Sequence, residues 1–134
     1  MALELGRFAS GVARLTACTF VVACAQAIAD VPDTQRAEVE HLLGFIRTSS
    51  CELVRNGREY DGERAYRHVV RKYDYFRDEI ASTEEFIALA ATKSELSGRA
   101  YEFRCDGQPT TTSAAVLLEE LARFRASAAG HDQP

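Results

Sequence analysis

The apolar run LTACTFVVACAQAIA, from Leu15 to Ala29, sets the limits on what this chain can fold into. Arg7 and Arg14 precede it against a single Glu4, and it closes on Ala27-Ile28-Ala29, followed by Asp30. A positive start, a short apolar stretch and a small-x-small exit are the three parts of a secretory signal. A membrane-spanning helix needs ~20 apolar residues. This run is shorter, and Arg14 breaks it upstream. Residues 1–29 are therefore expected to be removed on export, by cleavage between Ala29 and Asp30. A competing exit lies inside the same run. Val21-Val22-Ala23-Cys24 fits the pattern after which bacterial lipoproteins are cut, with Val where Leu is usual. Lipidation at Cys24 would hang the remaining chain from a membrane by a short tether; without it, no membrane contact is expected.

Removal of residues 1–29 leaves 105 of the 134 residues, enough for one modest core and not for two. The expected organisation is a single helical domain over residues 30–126 and a flexible tail over 127–134. That part carries 14 basic and 19 acidic side chains, a net charge of −5 with His neutral. A nucleic-acid binder would need a basic surface, so none is expected as a partner. Two of the four cysteines, Cys18 and Cys24, fall in the export segment. Cys51 and Cys105 remain, and an even pair in an oxidising compartment is by default a disulfide; free thiols are the alternative. A structural zinc site wants four ligands, and neither cysteine has a nearby His. No phosphate loop, dinucleotide fingerprint or metal motif occurs, so no cofactor and no metal are expected.

Periodicity places the elements. Asp33 or Thr34 can cap a helix running to about Ser49, with Val39, Leu42, Leu43 and Ile46 as its apolar stripe and Phe45 widening it. A short strand follows from Cys51 to Arg55. Asn56-Gly57 then marks a tight turn, because both central positions of the favoured hairpin turn need φ > 0. A second helix spans about Gly62 to Ile80, packing through Ala65, Val69, Tyr73, Phe76 and Ile80. Ser82-Thr83-Glu84-Glu85 fits a capping box opening a third helix, with Phe86, Ile87, Ala90 and Ala91 inward and Ser97-Gly98 as its stop. Tyr101, Phe103 and Cys105 alternate along a second strand, Ala100 to Cys105, which the disulfide would staple to the first if the two pair. Asp106-Gly107-Gln108-Pro109 turns the chain into a last helix, about Ser113 to Ala126, packing through Leu117, Leu118, Leu121 and Phe124. The fold class is thus mainly α, with four helices, a small two-stranded antiparallel ribbon and one disulfide.

Across these elements, the order Ser50-Cys51, Arg55-Asn56-Gly57, Tyr60, Ala65, His68, Lys72-Tyr73, Phe86-Ile87, Ser94, Ser97-Gly98, Tyr101 and Cys105 resembles the YfeK-like family. These are small exported bacterial proteins classed as a domain of unknown function. The resemblance covers about Glu38 to Leu121. Leu53 stands where the family pattern has an aromatic and Val69 where it has Leu. Val116-Leu117 stands where it has Trp-Leu, and this chain has no Trp. The resemblance implies a periplasmic address and the paired cysteines, and it supplies no activity.

Four constellations carry candidate chemistry, each beside a plainer structural account. Arg55 and Asn56 on a rigid turn could present a guanidinium fork to a carboxylate or phosphate; the plainer account is that Asn-Gly only makes the turn and Arg55 pairs with Glu59. His68 and Lys72, i and i+4 on the second helix, could be a general base beside a cation or an anion site. Otherwise His68 is an edge-of-core residue bonded to backbone, with Lys72 reaching outward over apolar surface. Ser94 and Ser97 are the weak candidates for a nucleophile; otherwise they satisfy backbone groups where the third helix ends. The Arg64, Arg67 and Arg71 stripe reads as a solvated face balanced by Glu63, Asp74 and Asp78, or, uncompensated, as a surface for anionic material. The expected function is a non-enzymatic binding or interaction module of the periplasm, its partner an envelope protein or a small anionic ligand. The alternatives are a small envelope hydrolase or transferase using His68 and Lys72 with a serine, and a lipid-tethered accessory protein.

Overall fold

The computed structural model describes residues 30–130. The expected signal over 1–29, including Cys24 and Ala29, lies outside the described residues, as do 131–134 of the expected tail. The elements run α1 (Asp33–Thr48), β1 (Glu52–Arg55), β2 (Arg58–Tyr60), α2 (Gly62–Phe76), a single 3-10 turn (Arg77–Glu79), α3 (Thr83–Ala90), β3 (Glu102–Arg104), β4 (Thr111–Thr112) and α4 (Ser113–Ala129). Among the described residues no helix is long and apolar enough to cross a membrane.

The four helices enclose one core, with Leu42, Ile80, Phe86, Ala90 and Leu117 fully buried in it. α1 lies on α2, and α4 closes over α1 and α3. The stripe predicted for α1 is largely seated, Val39, Leu42 and Ile46 being buried and Leu43 and Phe45 packing against them. α1 starts differently from the expectation. Its N-cap is Pro32, which has no side-chain acceptor, and Asp33 is the first helical residue. Asp30 anchors the approach instead, accepting from the Tyr73 hydroxyl at 2.5 Å and from Arg77 Nη1 at 2.9 Å. The second helix stops at Phe76, four residues early, and tightens into the 3-10 turn that delivers Ile80 to the core.

The third helix is the larger correction. It ends at Ala90, not at Ser97-Gly98. Ile87 O accepts from Ala91 N at 3.1 Å and also from the Thr92 hydroxyl at 2.7 Å, while Thr92 O leaves the helical pattern to accept from Tyr101 N at 2.8 Å. The chain then folds back on itself, with Lys93 bridged to Ala100 and Gly98 at φ 69° in the turn between. The capping box holds with a shift of one position: Ser82 Oγ accepts from Glu85 N at 3.1 Å, and Glu85 reaches back to Ala81 N at 2.7 Å. In α4 Leu117 and Leu121 are buried, but Leu118 is exposed, and the helix continues three residues past Ala126 into the segment expected as tail.

The ribbon is a four-stranded antiparallel sheet, ordered β2-β1-β3-β4, rather than two strands. Its centre is the expected pair: Leu53 faces Phe103 on β3 and Tyr60 on β2. The added strands are edge strands of two and three residues, exposed along most of their length. The β1–β2 hairpin turns on Asn56 at φ 51° and Gly57 at φ 77°, as the dipeptide predicts. Cys51 and Cys105 form the disulfide, joining the ends of β1 and β3 with Cα atoms 4.4 Å apart.

Candidate functional site

Side chains alternate across a strand, so Arg55 emerges on the same face of β1 as Leu53, toward α2. α2 is started by Asp61, whose carboxylate accepts from Arg64 N at 2.8 Å. Its buried stripe of Ala65, Val69 and Lys72 sets the register that turns His68 toward Arg55. Arg55 Nη1 meets His68 Nδ1 at 2.5 Å, and His68 Nε2 meets the Tyr101 hydroxyl at 2.9 Å. A guanidinium only donates. Nδ1 therefore carries the lone pair, Nε2 carries the proton, and His68 is a neutral imidazole donating to Tyr101. Burial pushes its pKa down to about 4, assisted by the positive charges of Arg55, Lys72 and Arg71.

Arg55 also contacts Tyr60, donating to the hydroxyl at 3.3 Å and lying 4.8 Å over the ring. That hydrogen bond holds the Tyr60 phenol below its ordinary range. Arg55 does not pair with Glu59, which is taken by Arg104 across the sheet. Lys72 is buried rather than reaching outward. Its Nζ donates to Lys93 O at 2.7 Å and to Glu95 Oε1 at 3.2 Å, and it lies over the rings of Tyr101 and Phe76. Burial lowers its pKa against the pull of Glu95.

Arg55, His68 and Lys72 do share one concave surface, a cleft of about 570 Å³. A smaller cleft of about 210 Å³, lined by Arg64 and Arg67, adjoins it, and Arg55, His68 and Arg71 line both. Only part of the expected charge balance of the arginine stripe is present. Glu63 pairs with Arg67 and Arg47, and Asp74 with Arg77. Among the described residues no carboxylate lies within ion-pairing distance of Arg55, Arg64 or Arg71. The single carboxylate lining either cleft is Glu95. A chain of net charge −4 thus carries one concentrated cationic hollow.

The serines serve this site from behind. Ser94 also lines the larger cleft, but its Oγ accepts from Asn56 Nδ2 and Ser97 N, each at 3.4 Å. Ser97 Oγ donates to Asn56 Oδ1 at 2.6 Å. Asn56 therefore clips the β1–β2 turn to the turn after α3, with both ends of its amide engaged. His68, Lys72 and Ser94 line one cleft, yet neither serine hydrogen-bonds His68 or Lys72, and both ring nitrogens of His68 are occupied. The arrangement suits holding an anion; a hydroxyl activated by a base is not assembled in it. Among the described residues no group of three or more His, Cys, Asp or Glu side chains is placed to hold a metal ion.

Tyr60, Tyr101, Tyr75 and Leu96 were not singled out from the sequence as site residues. From the sequence Tyr101 shares one face of a short strand with Phe103 and Cys105, and in the fold it is 1% exposed. One signal for it existed: a buried phenol requires a hydrogen-bond partner, and His68 was an available one. Leu96, fully exposed on the rim, carries no such signal.

No curated protein and no solved structure matches this chain. A protein family does match, over residues 33–125, which takes in the first three helices, most of α4, the sheet and the cleft. The chain belongs to that family, DUF5329, a family of unknown function.

Proposed function

We propose that this chain is an exported, YfeK-like, non-enzymatic binding module of the periplasm whose cationic cleft takes a small anionic ligand. Export is supported by Arg7 and Arg14 ahead of the Leu15–Ala29 run with its Ala-x-Ala exit, and by the Cys51–Cys105 disulfide, a bond that persists in oxidising compartments. The observation that carries the binding reading is Arg55. Its guanidinium points into a cleft, held by an uncharged imidazole and a phenol, with no carboxylate neutralising it. Such a group is rigid and electrostatically incomplete, the state in which an incoming oxyanion gains most.

The test is titration calorimetry of the disulfide-bonded domain with inorganic phosphate and with acetate at low ionic strength. Saturable binding that weakens with added salt is expected, with at least a tenfold loss in Arg55→Ala, about the 1.4 kcal/mol minimum for a charge-assisted hydrogen bond. No saturable binding of either anion, or binding indifferent to Arg55→Ala, overturns the reading. Intact mass of protein recovered from the periplasm distinguishes release before Asp30 from lipidation at Cys24. An envelope hydrolase or transferase would require Ser94 to leave Asn56 and turn to His68; turnover of ester probes abolished by Ser94→Ala would favour it.

A further inference from the structure

The two connected lobes of the cleft differ in character. The smaller is walled by Arg55, Arg64, Arg67 and Arg71. The larger is bounded by Tyr75, Phe76, Leu96 and Tyr101. Leu96 is 100% exposed and Tyr75 77% exposed, and both lie on the rim of this one lobe. Scattered exposed apolar side chains need no explanation, but two beside Phe76 around a hollow of ligand size form a patch.

One further fact fixes the chemistry of the other end. Arg55, Arg64 and Arg71 bring three positive charges with no carboxylate partner among the described residues. A carboxylate brings one negative charge and two acceptor oxygens. A phosphate monoester brings a charge of about −1.5 to −2 and three terminal oxygens, the closer match to three forks. The Tyr101 hydroxyl lines the larger lobe and accepts from His68 Nε2.

We infer that the ligand is a soluble phosphate monoester with an aryl or short apolar body, its phosphate held by Arg55, Arg64 and Arg71 and its body lying against Tyr75, Phe76 and Leu96. This rests on the anion-binding reading and adds the class of anion and the second half of the molecule. The phosphate and the apolar body are each recognised by side chains the other does not use, so the two contributions separate in experiment.

The probes are phenyl phosphate, inorganic phosphate and benzoate, titrated into the disulfide-bonded domain. Phenyl phosphate is expected to bind at least tenfold more tightly than either of the others. Tyr75→Ser with Leu96→Ser, two exposed positions whose replacement spares the core, is expected to abolish that advantage and leave inorganic phosphate binding unchanged. Arg71→Gln is expected to weaken both phosphates. Phenyl phosphate binding no more tightly than inorganic phosphate overturns this inference and leaves the anion-binding reading standing. Benzoate matching phenyl phosphate overturns the phosphate class alone. Failure of all three to bind overturns both. Sedimentation with phosphatidic acid vesicles, without binding of free phenyl phosphate, overturns the soluble ligand in favour of a lipid headgroup.

Discussion

Acidification to about pH 5 should destabilise this fold through a single imidazole. His68 takes its proton near 6.5 when unfolded and only near about 4 when folded, because burial and the neighbouring cations oppose its charge. Between those values the unfolded chain binds more protons, so lowering the pH favours unfolding. Stability from this group is complete above the unfolded value and is lost as pH falls from there toward the folded one. The full shift corresponds to roughly 3 kcal/mol at 1.36 kcal/mol per unit. The imidazole borders an open cleft, and screening there reduces the share lost by about pH 5 to about 1–2 kcal/mol. Protonation also removes the lone pair that Arg55 Nη1 donates to, so the cleft should lose its ordered guanidinium over the same range. The carboxylates of Glu38 and Glu84 are held below their ordinary values by hydrogen bonds from Arg125. Their contribution begins to fall only below the ordinary carboxylate value of 4.5, so a comparison at about pH 5 reads mainly His68. Urea unfolding at about pH 7 and about pH 5 measures the loss, and His68→Gln should flatten it. His41→Asn, which touches the separate contact with Glu120, is the control. An NMR titration placing His68 at or above 6.5, or equal acid losses in wild type and His68→Gln, would refute the reasoning.

Two stability predictions address the frame that holds the cleft. Cys51 and Cys105 are 54 residues apart, and closing a loop of that length is worth about 4 kcal/mol in the chain-entropy picture. Replacing both with Ser should lower the urea midpoint accordingly without changing the far-ultraviolet circular dichroism of whatever folds; an unchanged midpoint counts against the staple. A methyl group added at Gly62 would fall 2.5 Å from Arg47 O and 2.7 Å from Ile46 O, backbone atoms at the end of α1 that cannot rotate away. Gly62→Ala should therefore cost about 1–3 kcal/mol despite the better helix propensity of Ala, and a neutral or stabilising result in thermal melts would show that α1 and α2 do not approach this closely.

Signals carried by a few adjacent residues were legible in the sequence. Asn56-Gly57 specified its turn, Ser82 its cap, and the apolar spacing of α1 and α2 their buried faces, because each rests on backbone geometry or a contact within one turn. The cysteine pair was legible for a different reason, since the expected export segment takes Cys18 and Cys24 and leaves Cys51 and Cys105 as the remaining pair. β2 and β4 were not legible. They are edge strands of three and two residues, too short and too exposed to alternate, and they are strands only because β1 and β3 offer them hydrogen bonds. Gly98 suits the left-handed stop of a helix, and it does take a positive φ, but in the turn that returns Lys93 to Ala100 rather than at the end of α3. The site divides in the same way. The sequence by itself picked out Arg55, His68 and Lys72 as residues worth joining and left their partners open between Glu59, backbone and solvent. Only the tertiary structure decided that Arg55 meets His68, that His68 meets Tyr101 thirty-three residues away, and that Arg55, Arg64 and Arg71 line one hollow without a carboxylate partner among the described residues. Those contacts depend on how the sheet lies across a helix, and no local propensity encodes that relation.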